Sequence, residues 1–297
     1  MKKAVLSRRR AELLLAGVIA ARATSYLFSK LILEGMGLFN LLSIRFLLAF
    51  TVLAVLFFRR MKMIDRKSLV AGIIMGSMYF LVMTAELNGL KRTSSGNVSF
   101  LENTAIVIVP LLQAVLRHRL PRWKAVFSAL LCLAGVGFLT LGSGMSFGGG
   151  EMFCMLAAFL YASTILMTDH LTHGSIDPLA AGVVQVGTIG ILSMTASLLF
   201  ESPRLPVGTL EWAGIIMLAV VCTGFGFTLQ PVAQSGTTAE RAGMFCALNP
   251  MVATLLGVVF LHEAFTAHSA IGGGFILAGI LILELPDSKK RFVTVQT

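Results

Sequence analysis

Charged side chains interrupt the long apolar stretches in the first half of this chain. They are Arg22, Lys30, Arg45, Glu86 and Glu102. A charge inside an apolar stretch of membrane length costs free energy unless it faces a water-filled cavity or a charged partner. Because acids and bases occur at similar predicted depths, we expect a paired network around an internal cavity. Such a mixed frame would suit a small zwitterion, which carries both an amino group and a carboxylate.

Glu102 is the most informative of these residues. Ser95, Glu102 and Gln113 are separated by 7 and 11 residues, so a continuous helix would place them on one stripe. A carboxyl group held between apolar surroundings and nearby arginines is a candidate to bind and release a proton as a substrate moves. The alternatives are a permanent ion pair with Arg22 or Arg45, and a group that merely faces a water-filled vestibule.

Neutral polar residues lie in the apolar stretches of the second half. Tyr161, Gln230 and Asn249 can hydrogen-bond an amino or carboxylate group without adding a charge to the membrane. Asn249 precedes Pro250, and the dipeptide is compatible with a kink that lines a cavity or with a purely structural kink. The candidate substrate-binding residues are therefore Arg22, Arg45, Glu86, Glu102, Tyr161, Gln230 and Asn249, with Glu102 as the candidate coupling residue.

The composition excludes a soluble fold. Of the 297 residues, 56% are hydrophobic and 13% are charged, against about 25% charged residues in an average soluble domain. In a soluble protein the net charge of +10 would suggest a nucleic-acid partner. Here the basic residues cluster between apolar runs, so we expect a lipid bilayer as the surroundings and no nucleic acid.

Motifs of soluble enzymes are missing from the sequence, which has no P-loop, no GxSxG and no HExxH. The four cysteines lie within apolar runs and form no CxxC pair, so we expect free thiols. We therefore predict a protein that is not an enzyme and has no cofactor and no metal. A membrane enzyme that uses His118, His170 or His173 is the alternative from another class.

Ten apolar runs are long enough to cross a bilayer, which takes about 20 residues per helix. Their approximate limits are 11–33, 38–58, 69–90, 95–116, 124–142, 150–169, 178–200, 210–232, 238–261 and 268–285. The breaks between them are short and leave no room for a soluble domain. The predicted fold class is therefore an all-α integral membrane protein with ten transmembrane helices.

Lysine and arginine in the short connections predict the orientation, because these residues are enriched in cytoplasmic loops. The basic clusters that fall on one side are 2–10, 59–67, 117–124 and 289–291, together with Arg241. The other side would carry Lys91, Arg92 and Arg204. We expect a multi-pass protein of the cell (inner) membrane with both termini in the cytoplasm.

One stretch of the sequence occurs twice. Residues 93–139 align without a gap with residues 237–283, 144 positions later, and the matches include Gly135 with Gly279. We interpret this as a duplication of a five-helix unit, with repeats at 1–142 and 143–297. Because five is odd, the second unit enters the membrane from the opposite side. In carriers built from such inverted repeats, the substrate lies near the midplane where the repeats meet.

Several short elements resemble the EamA-like transporters of the drug/metabolite transporter superfamily. These elements are Arg45-Phe46 within 43–49, Lys30 in the first helix, the turn at 90–97, Leu248-Asn249-Pro250 and Leu261-His262-Glu263. The resemblance covers essentially the whole chain. It implies ten helices in two inverted five-helix repeats around a central cavity. It also implies transport of a small metabolite, often amino-acid export and sometimes export of drugs or nucleotide-type solutes.

The sequence departs from that family pattern in places. Arg22-Ala23 stands where family members often carry Trp-Gly, and Glu102 is not a residue that the pattern leads us to expect. Both departures point to a specialised pocket and leave the substrate class open.

Taken together, these features predict a secondary carrier that moves a small polar metabolite by alternating access. The favoured substrate is an amino acid or related zwitterion, and the favoured direction is export. Protons are the candidate coupling ion, and a homodimer is left open. The alternative transport hypothesis is a multidrug exporter of lipophilic cations with Glu102 as its anionic site, which Arg22 and Arg45 would oppose unless they are paired.

Overall fold

The computed structural model describes residues 7–93, 95–118, 120–140, 149–252, 255 and 267–284. Their regular secondary structure is helical throughout. The helices are α1 (Arg8–Ala23), α2 (Ser25–Leu33), α3 (Leu38–Leu56), α4 (Phe58–Lys62), α5 (Arg66–Leu90), α6 (Ser95–Asn103), α7 (Ala105–Leu116), α8 (Trp123–Thr140), α9 (Gly149–Thr172), α10 (Pro178–Phe200), α11 (Gly208–Met217), a π-helical segment (Leu218–Phe227), α12 (Thr228–Gln234), α13 (Ala239–Phe245) and α14 (Ala267–Glu284).

Six helical stretches in the described part are long and apolar enough to cross a membrane. They are Leu38–Leu56, Arg66–Leu90, Val98–Leu116, Gly149–Thr172, Pro178–Phe200 and Gly208–Gln234. Two shorter apolar helices, Trp123–Phe138 and Ala270–Leu283, overlap the predicted spans 124–142 and 268–285. The prediction of an all-α membrane protein is confirmed.

The first predicted span, 11–33, is divided into α1 and α2 at Thr24. The Thr24 hydroxyl donates to the carbonyl oxygen of Ala21 (3.0 Å) and lies 3.1 Å from the Cys222 thiol. A threonine side chain that bonds back to the preceding turn competes with the helical backbone pattern and bends the helix. Thr24 therefore accounts for the break between α1 and α2, which the run of apolar residues in the sequence does not predict.

α5 and α10 both begin at an aspartate cap. The Asp65 carboxylate accepts from the backbone N–H of Ser68 (3.2 Å), and Asp177 accepts from that of Leu179 (3.1 Å). The Ser68 hydroxyl accepts the backbone N–H of Asp177 (2.7 Å), so the two helix starts are joined. The Asp65 cap explains why α5 begins at Arg66 rather than at the predicted position 69.

The predicted span 210–232 is a composite of α11, the π-helical segment and α12. Pro231 within α12 has no N–H, so it leaves the carbonyl of Phe227 without its helical donor. The Gln185 side chain supplies a donor instead, with Nε2 3.2 Å from the Phe227 oxygen. The hydrogen bond from Gln185 thus compensates for the one that the irregular helix lacks. π-Helical turns such as the segment before α12 are frequent at functional sites.

The predicted span 238–261 also bends. α13 ends at Phe245, a turn follows, and residues 248–252 are helical again. Pro250 cannot donate to the carbonyl of Cys246, and the N–H of Asn249 takes that oxygen at 3.0 Å instead. The remainder of this span, apart from position 255, lies outside the described residues.

Glycines allow close helix packing at two interfaces. Gly72 and Gly76 of α5 face α10 so closely that an added Cβ would lie 2.6 Å from side-chain atoms of Val184 and Thr188. α8 and α14 pack in the same manner at Gly135 and Gly279. Because small residues let backbones approach, these contacts fix how the helices are rotated about their axes.

Polar contacts join the connections at the two ends of the helix bundle. At one end, Glu201 accepts from the backbone N–H groups of Phe39 and Asn40, and Arg204 donates to the carbonyl oxygen of Gly35. At the other end, ion pairs between separate segments include Arg60 with Asp177, Glu12 with Arg241, and Arg122 with Glu240. The connections that meet at one end of the bundle are every second connection along the chain, as expected of a multi-pass membrane protein.

Candidate functional site

Arg22 of α1 lies at the centre of the polar interior. Its Nη1 atom donates to the Gln230 side-chain oxygen (2.6 Å) and to the Tyr161 hydroxyl (3.2 Å). Tyr161 belongs to α9 and Gln230 to α12, so both acceptors come from the second half of the chain. The structure therefore brings together three of the predicted site residues that are far apart in sequence.

Three aromatic rings surround the same guanidinium group. The Cζ atom of Arg22 lies 4.3 Å from the ring centroid of Phe227, 5.4 Å from that of Tyr161 and 5.7 Å from that of Tyr79. All three distances lie within the range of a cation–π contact. The hydrogen bonds and the rings together fix the position of the positive charge.

A small cavity opens beside Arg22, with a volume of about 10 Å³. The residues that line it are Ile19, Arg22, Glu102, Asn103, Tyr161, Cys246 and Asn249. Four of the predicted site residues are among them, and they include one base, Arg22, and one acid, Glu102. The Glu102 side chain is 4% exposed, so its charge acts in surroundings that water screens only weakly.

Arg45 does not line this cavity. The residue is 1% exposed, and it donates from Nε to the Thr223 hydroxyl (2.6 Å) and from Nη1 to the Ser25 hydroxyl (3.1 Å). Its Cζ atom also lies 5.9 Å from the centroid of Phe227. Arg45 therefore holds α3 against α2 and the π-helical segment.

Glu86 is also buried away from the cavity lining, at 6% exposed. Its Oε2 atom has no hydrogen-bond partner among the described residues, and it interacts electrostatically with Glu102, Arg22 and Arg45. The hydrogen bonds of both arginines go to neutral side chains. Arg22 and Arg45 therefore act on Glu86 through the electrostatic field and not through a hydrogen bond to its Oε2 atom.

The helical stripe predicted for Glu102 is interrupted. α6 ends at Asn103, and Thr104 bonds back to the carbonyl of Leu101 (2.6 Å) before α7 begins. Gln113 lies at the end of the helix bundle where Arg122 pairs with Glu240. With its amide oriented to satisfy both neighbours, it donates to Glu240 and accepts from Arg117, each at 3.1 Å.

Some predicted positions cannot be compared with the structure. The side chains of Lys30 and Ser95 and the Leu261-His262-Glu263 element lie outside the described part.

Sequence reasoning missed several residues of this site. Cys246 lines the cavity with its thiol 3.3 Å from the Tyr161 hydroxyl, and the 144-residue repeat pointed to it as the counterpart of Glu102. Asn103 could have been inferred from its place beside Glu102. Phe227 carried no signal, because it is one of 21 phenylalanines in an apolar chain.

Metal ligands do not cluster in the described ranges. No group of three or more His, Cys, Asp or Glu side chains there could hold a metal ion, and the four cysteines are buried and unpaired.

Comparison with known proteins supports a transport function. Relatives include a protein named as an uncharacterized transporter from Archaeoglobus fulgidus, 26% identical over 94% of this chain and 87% of the relative. A biotin transporter of Salmonella typhimurium is 25% identical over 74% of each chain. A crystal structure of a protein superposes with a TM-score of 0.77 at 21% identity, covering 93% of this chain and 97% of the other, which shows a shared fold.

The model of the EamA-like transporter family matches this chain twice, over residues 9–141 and 148–285. These matches cover nearly all of the sequence, and the names of the relatives indicate a transporter rather than an enzyme. The protein is therefore a multi-pass membrane transporter with a small-molecule substrate, and it belongs to the EamA-like transporter family.

Proposed function

We propose that this transporter is a secondary carrier that moves a small zwitterionic metabolite by alternating access, and that the cavity between Arg22 and Glu102 is its binding site. The observation that carries the proposal is that one base and one acid line the same buried cavity. Arg22 lines this cavity, and its positive charge can attract a carboxylate. Glu102 can in turn attract an ammonium group.

Neutral groups complete the proposed site. Asn103, Tyr161 and Asn249 line the cavity, and the Asn249 side-chain oxygen is buried without a hydrogen-bond partner in the described part of the chain. A buried acceptor without a donor costs free energy, which a ligand N–H group would recover. Gln230 contributes from behind the cavity by holding Arg22. Arg45 and Glu86 contribute through their charges rather than by contact.

The architecture we propose is ten transmembrane helices in two inverted five-helix repeats, 1–142 and 143–297. Two separate family matches, 9–141 and 148–285, support this division. The reciprocal packing of α8 and α14, described in the Discussion, supports a two-fold relation between the halves. In an inverted repeat the binding site lies at the interface, and the cavity lining comes from both halves.

We propose that both termini lie in the cytoplasm, in the cell (inner) membrane. The basic clusters at 59–67 and 117–124 fall at the same end of the bundle as α1 begins, as the positive-inside rule requires. Export is the proposed direction, because the family resemblance implies amino-acid export. We propose protons as the coupling ion and Glu102 as their carrier, since this carboxyl lines the cavity.

Ligand binding to the purified protein tests the site. A ligand that binds only the folded state raises the apparent free energy of unfolding, by about 2.7 kcal/mol at a hundredfold excess over Kd. The panel consists of amino acids, monocarboxylates that include biotin, and lipophilic cations. Biotin is included because one relative is named as its transporter.

Matched variants show where a ligand binds. We expect thermal stabilisation by at least one zwitterion, lost in Arg22→Gln and Glu102→Gln and kept in Arg59→Gln and Glu34→Gln, whose residues are exposed. Stabilisation that persists in both cavity variants would contradict the proposed site. Stabilisation by lipophilic cations alone, lost in Glu102→Gln, would favour the multidrug exporter instead.

A further inference from the structure

The chain's own cation occupies an aromatic cage. The Arg22 guanidinium lies 4.3 to 5.7 Å from the centroids of Phe227, Tyr161 and Tyr79. The rings also pack on one another: Tyr79 meets Phe227 edge to face at 5.1 Å, and Tyr161 lies 6.1 Å from Tyr79. Because the rings hold one another in place, the cage does not depend on Arg22 alone for its shape.

Two walls of the cage are hidden from the cavity. Tyr79 and Phe227 are each 1% exposed and are not among the described residues that line the cavity, whereas Arg22 and Tyr161 are. Arg22 thus contacts the cavity on one side and the two buried rings on the other. A shorter side chain at position 22 would extend the cavity onto the ring faces.

The backbone is adapted to keep Arg22 in this position. A Cβ added at Gly226 would lie 2.8 Å from Cγ of Arg22, so the glycine leaves room for the arginine stem against the π-helical segment. The 2.6 Å bond to Gln230 then fixes the guanidinium among the rings. Both features favour a long side chain with a hydrogen-bond donor at position 22.

We propose that the Phe227, Tyr161 and Tyr79 cage is a recognition site for organic cations that Arg22 keeps filled, so that Arg22 sets the charge selectivity of the carrier. This inference rests on the proposed transport function. With Arg22 present, the cage is occupied, and the positive charge of Arg22 repels ligands that carry a positive charge alone. Without Arg22, the cage accepts quaternary ammonium ions, the class of cation that aromatic cages bind well.

Choline and its uncharged carbon isostere, 3,3-dimethylbutan-1-ol, are the probes, measured by calorimetry on the purified full chain. We expect Arg22→Ala to bind choline at least tenfold more tightly than the wild type and at least tenfold more tightly than it binds the alcohol. Arg59→Ala should behave as the wild type. Equal binding of choline and the alcohol by Arg22→Ala would overturn the proposal, because it would show cavity filling without a cation–π contribution.

Second substitutions locate the choline. In the Arg22→Ala background, Phe227→Leu should weaken choline binding at least fivefold. If Glu102→Gln removes choline binding and Phe227→Leu does not, the cation binds at the carboxylate and the cage proposal is wrong.

If Arg22→Ala does not fold, a second pair of variants tests the cage proposal. Arg22→Gln removes the charge and should admit choline, whereas Arg22→Lys keeps a charge and should exclude it. Equal behaviour of these two variants would overturn the proposal. Failure of Arg22→Ala to bind choline would overturn the cage proposal and leave the proposed transport function intact. Retention of zwitterion binding in both Arg22→Gln and Glu102→Gln would instead refute the proposed binding site and leave the cage result standing.

Discussion

Gly135 and Gly279, which are 144 residues apart, each pack against the helix that carries the other. A Cβ at Gly135 would lie 2.6 Å from the carbonyl oxygen of Gly272, and one at Gly279 would lie 2.9 Å from that of Ser128. Gly272 and Ser128 are themselves 144 residues apart. This reciprocity is what we expect if the two proposed repeats meet across a two-fold axis.

We expect Gly279→Ala to destabilise the protein, because the new methyl group would also lie 2.5 Å from the Cys132 sulfur. Overpacking of this kind costs about 1–3 kcal/mol, which would lower the thermal midpoint in detergent by several degrees. Gly274→Ala on the same helix is the matched control, since a Cβ there meets no atom within 4 Å. Equal midpoints for the two variants would argue against close packing at Gly279.

The Glu12–Arg241 ion pair joins the first and last thirds of the chain at 3.0 Å, with both side chains 12–13% exposed. A double-mutant cycle with Glu12→Gln and Arg241→Gln should give a coupling free energy of about 1 kcal/mol. Arg8 also pairs with Glu12, but its side chain is 54% exposed. The Glu12 and Arg8 cycle should therefore give a smaller coupling, and a larger value there would contradict this account.

Asp65 should make stability depend on pH. The Ser68 hydroxyl and backbone N–H both donate to this carboxylate and hold the pKa of Asp65 below its ordinary value. The ionised group therefore stabilises the folded state above the ordinary aspartate pKa, and this contribution is lost as pH falls through the lowered pKa. Asp65→Ala should lower the thermal midpoint most at neutral pH, with a gap to the wild type that narrows on acidification.

Asp65→Asn is the control for that measurement, because it keeps a capping acceptor but cannot titrate. Its gap to the wild type should be smaller than that of Asp65→Ala at neutral pH. A gap between Asp65→Ala and the wild type that stays constant as the pH is lowered would show that ionisation of Asp65 plays no part.

Glu102→Gln should reduce proton-driven transport in liposomes at least tenfold, because the amide cannot carry a proton through the cavity. Substrate exchange at equal pH on both sides should fall as well, because the same carboxyl is proposed to bind the ammonium group of the substrate. Glu34→Gln serves as the exposed control. Wild-type rates with an unchanged pH profile in Glu102→Gln would exclude this carboxyl as the coupling group.

Epitope tags at both ends test the orientation. Positive charge in the connections at 59–67 and 117–124 leads us to expect both tags on the cytoplasmic side of intact cells. A tag in the 201–207 connection should be accessible from outside. Tags at the two termini that report opposite sides would rule out an even number of spans.

The sequence by itself determined the membrane environment and most helix positions, since a bilayer requires long apolar runs wherever the chain crosses it. Span 178–200 matches α10 at both ends, and 69–90 differs from α5 only by the turn that Asp65 caps. The offset of 144 residues between the two similar stretches was also readable, because it depends only on the order of residues. Arg22 and Glu102 stood out because charge in an apolar run is costly wherever it occurs.

Only the tertiary structure decided which of these residues meet. Arg22 and Arg45 look alike in sequence, yet one lines the cavity and the other binds Thr223 among packed helices. The difference is set by how each helix is rotated, and rotation follows from close contacts with neighbours such as the one between Gly226 and Arg22. Partners such as Gln230 and Phe227 lie about 200 residues from Arg22 along the chain. A local sequence pattern cannot predict contacts between residues so far apart in the chain, because side chains from different helices become neighbours only when the helices pack.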